Sequence, residues 1–464
     1  MIDLKTKPTD LKNLKVAVLG AKRSGIGAAI LVARKQATVL LTDSAQVEIA
    51  PPALTELRKY DIQIETGGHT DKIFESDLVV LSPGIPNNAP IVAEITRRNI
   101  PIVAEVELAC WFCPTDNIIA VTGSNGKTTT TTLLFEIFKG SQYEPYCGGN
   151  IGTAFSNLII EAEHSAHPNK IFILELSSFQ LERVIHFRPR ISIILNITPD
   201  HMDRYEHSMA NYLTAKLRIT LNQTRDDYYI YNDDDVLLNV NLPTNCQLIP
   251  AGLHSATKKL ITSDKEKIYF TNSAQFIERA RLVLLGEHNL YNLTAALSAA
   301  RLCDIAIDQI QTALYNFKSI EHRLEFITTI DGVDYYNDSK ATNVDSVNYA
   351  LRSFTRPVIV ILGGQDKDSD FSLLIPQIRE HVKAVVLVGK AAAKIRQTLQ
   401  GSVPLHDAGF SMPTAVKIAR DLAQSGDVVL LSPACASFDM FNDYEHRGRV
   451  FKEIVLAMSK EMPL

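Results

Sequence analysis

The segment Gly123-Ser124-Asn125-Gly126-Lys127-Thr128 places an ammonium and a hydroxyl directly behind two glycines, straight after the apolar run Ile118-Ile-Ala-Val-Thr122. Glycines let backbone N–H groups turn toward phosphate oxygens, and a helix N-terminus adds positive potential. The lysine offsets terminal phosphate charge, and the threonine hydroxyl suits Mg²⁺. The loop is shorter than the G-x-x-x-x-G-K-[ST] form, yet lysine and hydroxyl at a helix start argue against a plain strand-to-helix turn. Glu175 ends the run Ile171-Phe-Ile-Leu, and His201 follows Ile191-Ser-Ile-Ile-Leu195 within Asn196-Ile-Thr-Pro-Asp-His. A carboxylate and an imidazole at neighbouring strand ends suit Mg²⁺ or substrate, with a turn acid and a structural histidine as the alternatives.

Lys216 carries a different chemistry. Ser208 can cap a helix whose apolar stripe runs Met209, Tyr212, Leu213, Lys216, Leu217 and Thr220, so the lysine faces inward. Desolvation lowers an amine's pKa, and a neutral amine can add CO₂ to give a carbamate that serves as an anionic metal ligand. The alternative is a lysine extended toward a carboxylate. Asn289 and Asn292 stand three apart at the start of an Ala-rich helix and could read adenine's donor and acceptor edge. In the last third, three polar clusters each end an apolar strand: Asn337-Asp338-Ser-Lys-Ala-Thr342-Asn, Gly363-Gly-Gln-Asp-Lys367, and Ser432-Pro-Ala-Cys-Ala-Ser437-Phe438. Three such clusters on one sheet edge predict an anion-binding cleft.

The elements that must position these groups are short strands alternating with helices, many written as continuous apolar runs, as in buried parallel strands. The predicted class is α/β with three domains: residues 1–114, 115–320 and 321–464. The first opens with Lys15-Val-Ala-Val-Leu-Gly20, a small-residue helix and Thr38-Val-Leu-Leu-Thr-Asp43, a βαβ unit. Its turn, Gly20-Ala-Lys-Arg-Ser-Gly25-Ile-Gly27, is not G-x-G-x-x-G, which argues against a dinucleotide cofactor. Hinges near 115 and 320 predict domain motion.

Composition narrows the classes. The chain has 464 residues, 46% hydrophobic and 21% charged, ordinary globular usage. With 47 Lys plus Arg against 52 Asp plus Glu, the net charge of -5 gives no cationic field for nucleic acid. No apolar run approaches the roughly 18 residues of a membrane span, and the first residues have no signal-peptide core. Membrane insertion is therefore not expected, and a cytoplasmic address is. Six cysteines suit a reducing compartment, and the Cys110-Trp-Phe-Cys113 pair reads as helix packing rather than a zinc site.

Gly-Ser-Asn-Gly-Lys-Thr at 123–128, Glu-Leu-Ser-Ser-Phe-Gln at 175–180, His-Met-Asp-Arg-Tyr at 201–205, Gly-Glu-His-Asn at 286–289 and His-Arg at 322–323 together resemble the Mur ligase family. The likeness spans nearly the whole chain. It implies an N-terminal Rossmann-like domain for a UDP-linked substrate, a central P-loop ATPase-like domain with a mostly parallel sheet, and a C-terminal Rossmann-like domain that brings an amino acid. Asn-Asp-Ser-Lys-Ala-Thr-Asn at 337–343, Ser-Pro-Gly at 82–84 and Ser-Pro-Ala-Cys-Ala-Ser at 432–437 look like the members that add D-glutamate to UDP-N-acetylmuramoyl-L-alanine, through an acyl phosphate made with ATP.

The resemblance assigns ATP to Gly123, Ser124, Asn125, Gly126, Lys127, Thr128, Thr129, Asn289, Asn292, Arg323 and Asp338. Mg²⁺, or Mn²⁺ in its place, falls to Thr128, Glu175, His201 and Lys216, the last as a CO₂-derived carbamate. The UDP-substrate matches Asp43, Ser44, Ser82, Asn150, Ser177 and Gln180, and D-glutamate matches Thr342, Lys367, Ser437 and Phe438. Lys127, Asn150, His201 and Lys216 would carry the catalysis, in a monomer. Tyr444 stands where a phenylalanine is expected near the amino-acid pocket. Rival readings are a sibling amide ligase, such as a folylpolyglutamate synthase or the diamino-acid-adding enzyme, and a nucleotide-driven switch. The Asp-Asn-Pro-Arg run expected of the diamino-acid enzyme is absent.

Overall fold

The computed structural model describes residues 2–255, 257–284, 286–318 and 321–460. The boundary expected at 320 lies outside the described residues. The chain forms two compact units: Met1–Ile197 with Ser208–Arg281 and Tyr291–Asn316, and Thr198–His207 with Leu282–Leu290 and Phe317–Leu464.

The first unit begins with strands β1 (Lys15–Leu19), β2 (Thr38–Asp43), β3 (Gln63–Thr66), β4 (Leu78–Leu81) and β5 (Ile102–Ala104). They pair in parallel in the order β3-β2-β1-β4-β5, the doubly wound arrangement the βαβ opening predicts. Next come β6 (Ile118–Thr122), β7 (Glu144–Gly149), β8 (Lys170–Glu175), β9 (Ile191–Ile194), β10 (Tyr228–Tyr231) and β11 (Gln247–Pro250), in the order β11-β10-β9-β6-β8-β7. All neighbours here are parallel. β6 lies between β8 and β9, so the chain winds one way to β7 and back, then crosses to the other side. That reversal opens a crevice at the carboxyl ends of β6, β8 and β9. Strands β12 (Ile261–Ser263), β13 (Lys267–Phe270) and β14 (Phe276–Glu278) form a small antiparallel sheet.

The helix Glu105–Trp111 ties the first two sheets together. Buried Glu107 accepts the backbone N–H of Ile185 at 2.9 Å, His186 at 2.8 Å and Phe187 at 2.9 Å, as well as Trp111 Nε1 at 2.7 Å. Four donors explain how a carboxylate sits there with no exposed surface. Glu105, two residues earlier, accepts the N–H and hydroxyl of Ser156 at 2.7 and 2.6 Å through one oxygen, while its other oxygen has no partner.

The second unit holds β15 (Glu325–Ile330), β16 (Val333–Asn337), β17 (Val358–Gly363), β18 (Val382–Val388), β19 (Leu405–Asp407) and β20 (Val428–Leu431). Their order is β15-β16-β20-β17-β18-β19, parallel except for the edge strand β15. Val358, Val360 and Leu362 of β17 face one hydrophobic cluster and Ile359 and Ile361 the other, so both faces are covered by helices. Among the described residues no helix is long and apolar enough to cross a membrane.

Candidate active site

The phosphate loop is built by backbone geometry. β6 is buried throughout, and the chain leaves it through Gly123 and Gly126 into the helix Lys127–Phe138. Gly126 caps that helix in the left-handed region, at φ 84°, and a Cβ there would stand 2.1 Å from Asn292 Oδ1. Only glycine meets both conditions. Lys127 Nζ donates to the carbonyls of Gly123 at 2.8 Å and Ser124 at 2.9 Å, so the ammonium lies over the loop. The threonine run that continues the helix is poor helix material, yet it is helical because it is packed inside. Thr129, Thr130 and Thr131 have no exposed surface and their hydroxyls no partner. Thr129, predicted to meet ATP, therefore presents no side chain to a ligand.

Below the loop three predicted residues meet. Thr128 Oγ1 donates to Glu175 Oε2 at 2.6 Å, and Asn150 Nδ2 donates to Glu175 Oε1 at 2.9 Å. The Asn150 N–H also bonds the Glu175 carbonyl at 2.8 Å, locking the end of β7 to that of β8. Thr128 and Glu175 are both buried hard-oxygen donors, the set Mg²⁺ takes, so these residues fit the ion. Lys216, 1% exposed, sits on the Ser208-capped helix Met209–Leu217 as its apolar stripe predicts. Its Nζ donates to the Gly123 carbonyl at 2.9 Å and the Thr122 hydroxyl at 3.4 Å, and lies 4.7 Å from the Tyr212 ring centroid. A buried amine thus reaches the foot of the loop.

Sequence reading missed three contributors. Asn196 accepts the Asn125 N–H at 2.8 Å through its side chain and the Ser124 N–H at 3.0 Å through its carbonyl, bracing the loop from the end of β9. Tyr212 holds the Ser124 hydroxyl at 3.2 Å. Arg23, in the first glycine turn, donates to the Asn150 carbonyl at 3.1 Å. For Asn196 a signal existed in its place at a strand end beside the loop's strand. For Arg23 there was none.

Of the predicted UDP-substrate residues, Asp43 accepts the N–H groups of Ala21 at 2.8 Å and Ala45 at 2.9 Å, tying together the turns after β1 and β2. Ser44 beside it is exposed. Ser82 donates to the Gly20 carbonyl at 3.4 Å in the same group of strand ends. Ser177 and Gln180 form a capping box on the short helix Ser178–Leu181, a local role that their S-x-x-Q spacing foreshadows.

His201, Asn289, Arg323, Asp338, Thr342, Lys367, Ser437 and Phe438 belong to the second unit, and Asn292 to the first. His201 has a left-handed backbone, φ 55°, with Nε2 3.6 Å from Asp200, whose other oxygen is 3.5 Å from Lys367 Nζ. Asn289 and Arg323 line a cavity of about 340 Å³ with Phe326, Tyr336 and Phe354. The turn that presents Arg323 has left-handed residues on either side, His322 at φ 66° and Leu324 at φ 39°. Glu325 holds the His322 N–H at 2.9 Å and Asp338 the Leu324 N–H at 3.2 Å. Asp338 also accepts the Ser432 hydroxyl at 2.8 Å, and burial pushes its carboxyl up to about 7. Ser437 is buried, whereas Phe438 is 69% exposed.

Three profiles of one family match successive stretches of the chain. Residues 14–104 match the family profile described as the Mur ligase MurD-like N-terminal domain, 121–300 the Mur ligase middle domain, and 322–435 the Mur ligase glutamate ligase domain. The chain belongs to the Mur ligase family, ATP-dependent amide-forming ligases. A relative from Chloroherpeton thalassium, 39% identical over 97% of this chain and 99% of its own, is named UDP-N-acetylmuramoylalanine–D-glutamate ligase. One from Acidobacterium capsulatum, 41% identical over 97% of each chain, has the same name. Among solved structures, UDP-N-acetylmuramate-alanine ligase from Thermotoga maritima aligns with TM-score 0.60 at 18% identity, over 96% of this chain and 100% of that one. A pseudomurein peptide ligase type C from Methanothermus fervidus aligns with TM-score 0.61 at 18% identity, over the same shares. At such identities these two matches speak for the fold.

Proposed function

We propose that this chain joins D-glutamate to UDP-N-acetylmuramoyl-L-alanine, with ATP converted to ADP and phosphate, in cytoplasmic peptidoglycan precursor synthesis. The observation that supports it most is the Thr128–Glu175–Asn150 set beneath a lysine-bearing phosphate loop, in a chain whose full-length relatives carry that enzyme's name. In this reading residues 1–114 take the UDP end, 115–320 take ATP, and 321–464 bring the amino acid.

A carboxylate resists amines until one of its oxygens becomes a good leaving group. An oxygen of the acceptor's terminal carboxylate attacks the γ-phosphorus of ATP, and ADP leaves. The amine of D-glutamate then adds to the acyl phosphate carbonyl and loses its proton, and the tetrahedral adduct expels phosphate. Lys127 offsets charge as two anions approach, and the backbone N–H groups of residues 123–128 orient the phosphates. Thr128 and Glu175, with His201 and a carbamate on Lys216, would hold Mg²⁺, which supplies Lewis-acid charge neutralisation when bound. Asn150 orients the reacting carboxylate, and Asn289, Asn292, Arg323 and Asp338 hold the nucleoside. Thr342, Lys367 and Ser437 take the carboxylates of D-glutamate, with Phe438 beside them. The protein acts as a monomer.

The test is phosphate release with each substrate omitted in turn, across a panel of D- and L-amino acids, with heavy oxygen in the acceptor carboxylate. We expect turnover with D-glutamate alone of the panel, and label in the released phosphate. Turnover without any amino acid would point to a switch, another preferred amino acid to a sibling ligase, and unlabelled phosphate would exclude the acyl phosphate.

A further inference from the structure

The three strand-end loops proposed to bind the amino acid share a support that lies on none of them. Arg447, one turn into the helix Tyr444–Lys460, is 2% exposed. Its Nε donates to Ser339 Oγ at 2.9 Å, one terminal nitrogen to the Ser339 carbonyl at 2.7 Å, and the other to the Cys435 carbonyl at 3.1 Å. A Cβ on Gly364 would lie 3.2 Å from that last nitrogen. One guanidinium therefore bonds the loops after β16 and β20, which carry Thr342 and Ser437, and stands beside Gly364 of the loop after β17, which carries Lys367.

Burying a charged, rotamer-rich side chain is costly unless its donors are satisfied, and here they are spent on loop backbone and a serine rather than on a carboxylate. The loops also bond one another on both sides of the Cys435 carbonyl. The Ala434 N–H reaches the Ala341 carbonyl at 3.0 Å, and Ala436 and Gln365 exchange bonds of 2.8 and 3.0 Å. Ala434 takes φ 60° to allow this, a left-handed conformation that a non-glycine residue holds only when its surroundings fix it. Ser339 Oγ in turn donates to the Tyr444 carbonyl at 2.8 Å, returning the network to the helix that carries Arg447.

We propose that Arg447 is the positioning residue of the amino-acid site: it holds the loops after β16 and β20 directly, and the loop after β17 through the Ala436–Gln365 bonds, in one register, so that their polar groups meet the incoming amino acid together. The inference rests on the reading above of those loops as the D-glutamate site. It separates two halves of the reaction. Acceptor activation uses the phosphate loop, whereas capture of the amine needs the aligned loops.

The experiment compares wild type with Arg447→Lys and Arg447→Ala for kcat and for the KM of each substrate. Acyl phosphate formed without amino acid is trapped as the hydroxamate by hydroxylamine. Arg447→Lys keeps the charge but loses the fork, and should raise the KM for D-glutamate by ~10- to 100-fold, the scale of one or two lost charged hydrogen bonds. The KM for the UDP-linked acceptor and the hydroxamate yield should stay within about twofold, and added guanidinium ion should partly restore Arg447→Ala. Should the arginine variants not fold, Ser339→Ala removes the Nε acceptor together with its bond to the Tyr444 carbonyl, leaves both terminal nitrogens bonded, and should move the same KM less far. An unchanged KM for the amino acid, or a loss of hydroxamate in step with the loss of turnover, would overturn the proposal. If wild type prefers another amino acid, the proposed function fails on that control, and the same split measured with the preferred amino acid still decides the role of Arg447.

Discussion

At the phosphate loop, predicted site residues hold one another: Thr128 and Asn150 both bond Glu175, and Lys127 bonds the loop it belongs to. At the carboxyl edge of the C-terminal sheet, the site residues are instead held from behind, by Arg447 under the loops and by Asp338 bonding Ser432 and the Leu324 N–H. On the proposed assignment of ATP and the amino acid, the difference follows from what each region binds. A phosphate is met by backbone N–H groups and one cation, which a single strand, turn and helix can supply. An amino acid with two carboxylates and an amine needs donors from several strand ends, so separate loops must be kept in register.

The comparison breaks most readily at Lys127. Lys127→Ala removes the one loop side chain that carries positive charge and should lower kcat by about 10³-fold, without disturbing the Thr128–Glu175 bond. Steady-state rates and a thermal melt check both halves, since a melt that falls with the rate would make Lys127 a structural residue. Gly126→Ala comes next. It forces a Cβ into a left-handed residue 2.1 Å from Asn292 Oδ1, and should cost roughly 1–3 kcal/mol of stability and raise the KM for ATP. Denaturant unfolding and nucleotide titration measure these, and a normal ATP affinity would mean that the loop tolerates reshaping.

The same contrast explains what could be read from sequence. The parallel sheets were legible because buried strands such as Val428–Leu431 are unbroken apolar runs, and the phosphate loop because its chemistry lies within six consecutive residues. The burial of Lys216 was legible from its place in an apolar stripe, since helical period fixes facing. Arg447 was not: it sits in a polar stretch, and its partners Ser339 and Cys435 come close only once β16 and β20 pair. Asn292 was legible as a residue but not as the neighbour that bars a side chain at Gly126, because that depends on how one helix meets another chain segment. At Thr129 to Thr131, helical as the loop's place before a helix predicts, packing outweighs poor helix preference.

The last expected effect concerns the two carboxyls buried by these arrangements, one in each unit. Burial raises both Asp338, to about 7, and Glu105, whose second oxygen has no partner. A carboxyl whose pKa is higher folded than unfolded keeps its proton in the native state while the unfolded chain has lost it. Its contribution to stability is therefore complete below the unfolded value, about 3.9 for an aspartate, and is lost as pH rises through the folded value. For Asp338 that window runs from about 4 to about 7, with a slope approaching about 1.4 kcal/mol per pH unit. Asp338→Asn, which keeps an acceptor for Ser432, should flatten the slope for the second unit, and Glu105→Gln should do so for the first. Urea unfolding across that range, followed in each unit separately, reads both. Stability that rises with pH and falls in neither variant would mean that both carboxyls are ionised in the fold and that the loops are held by charge, not in spite of it.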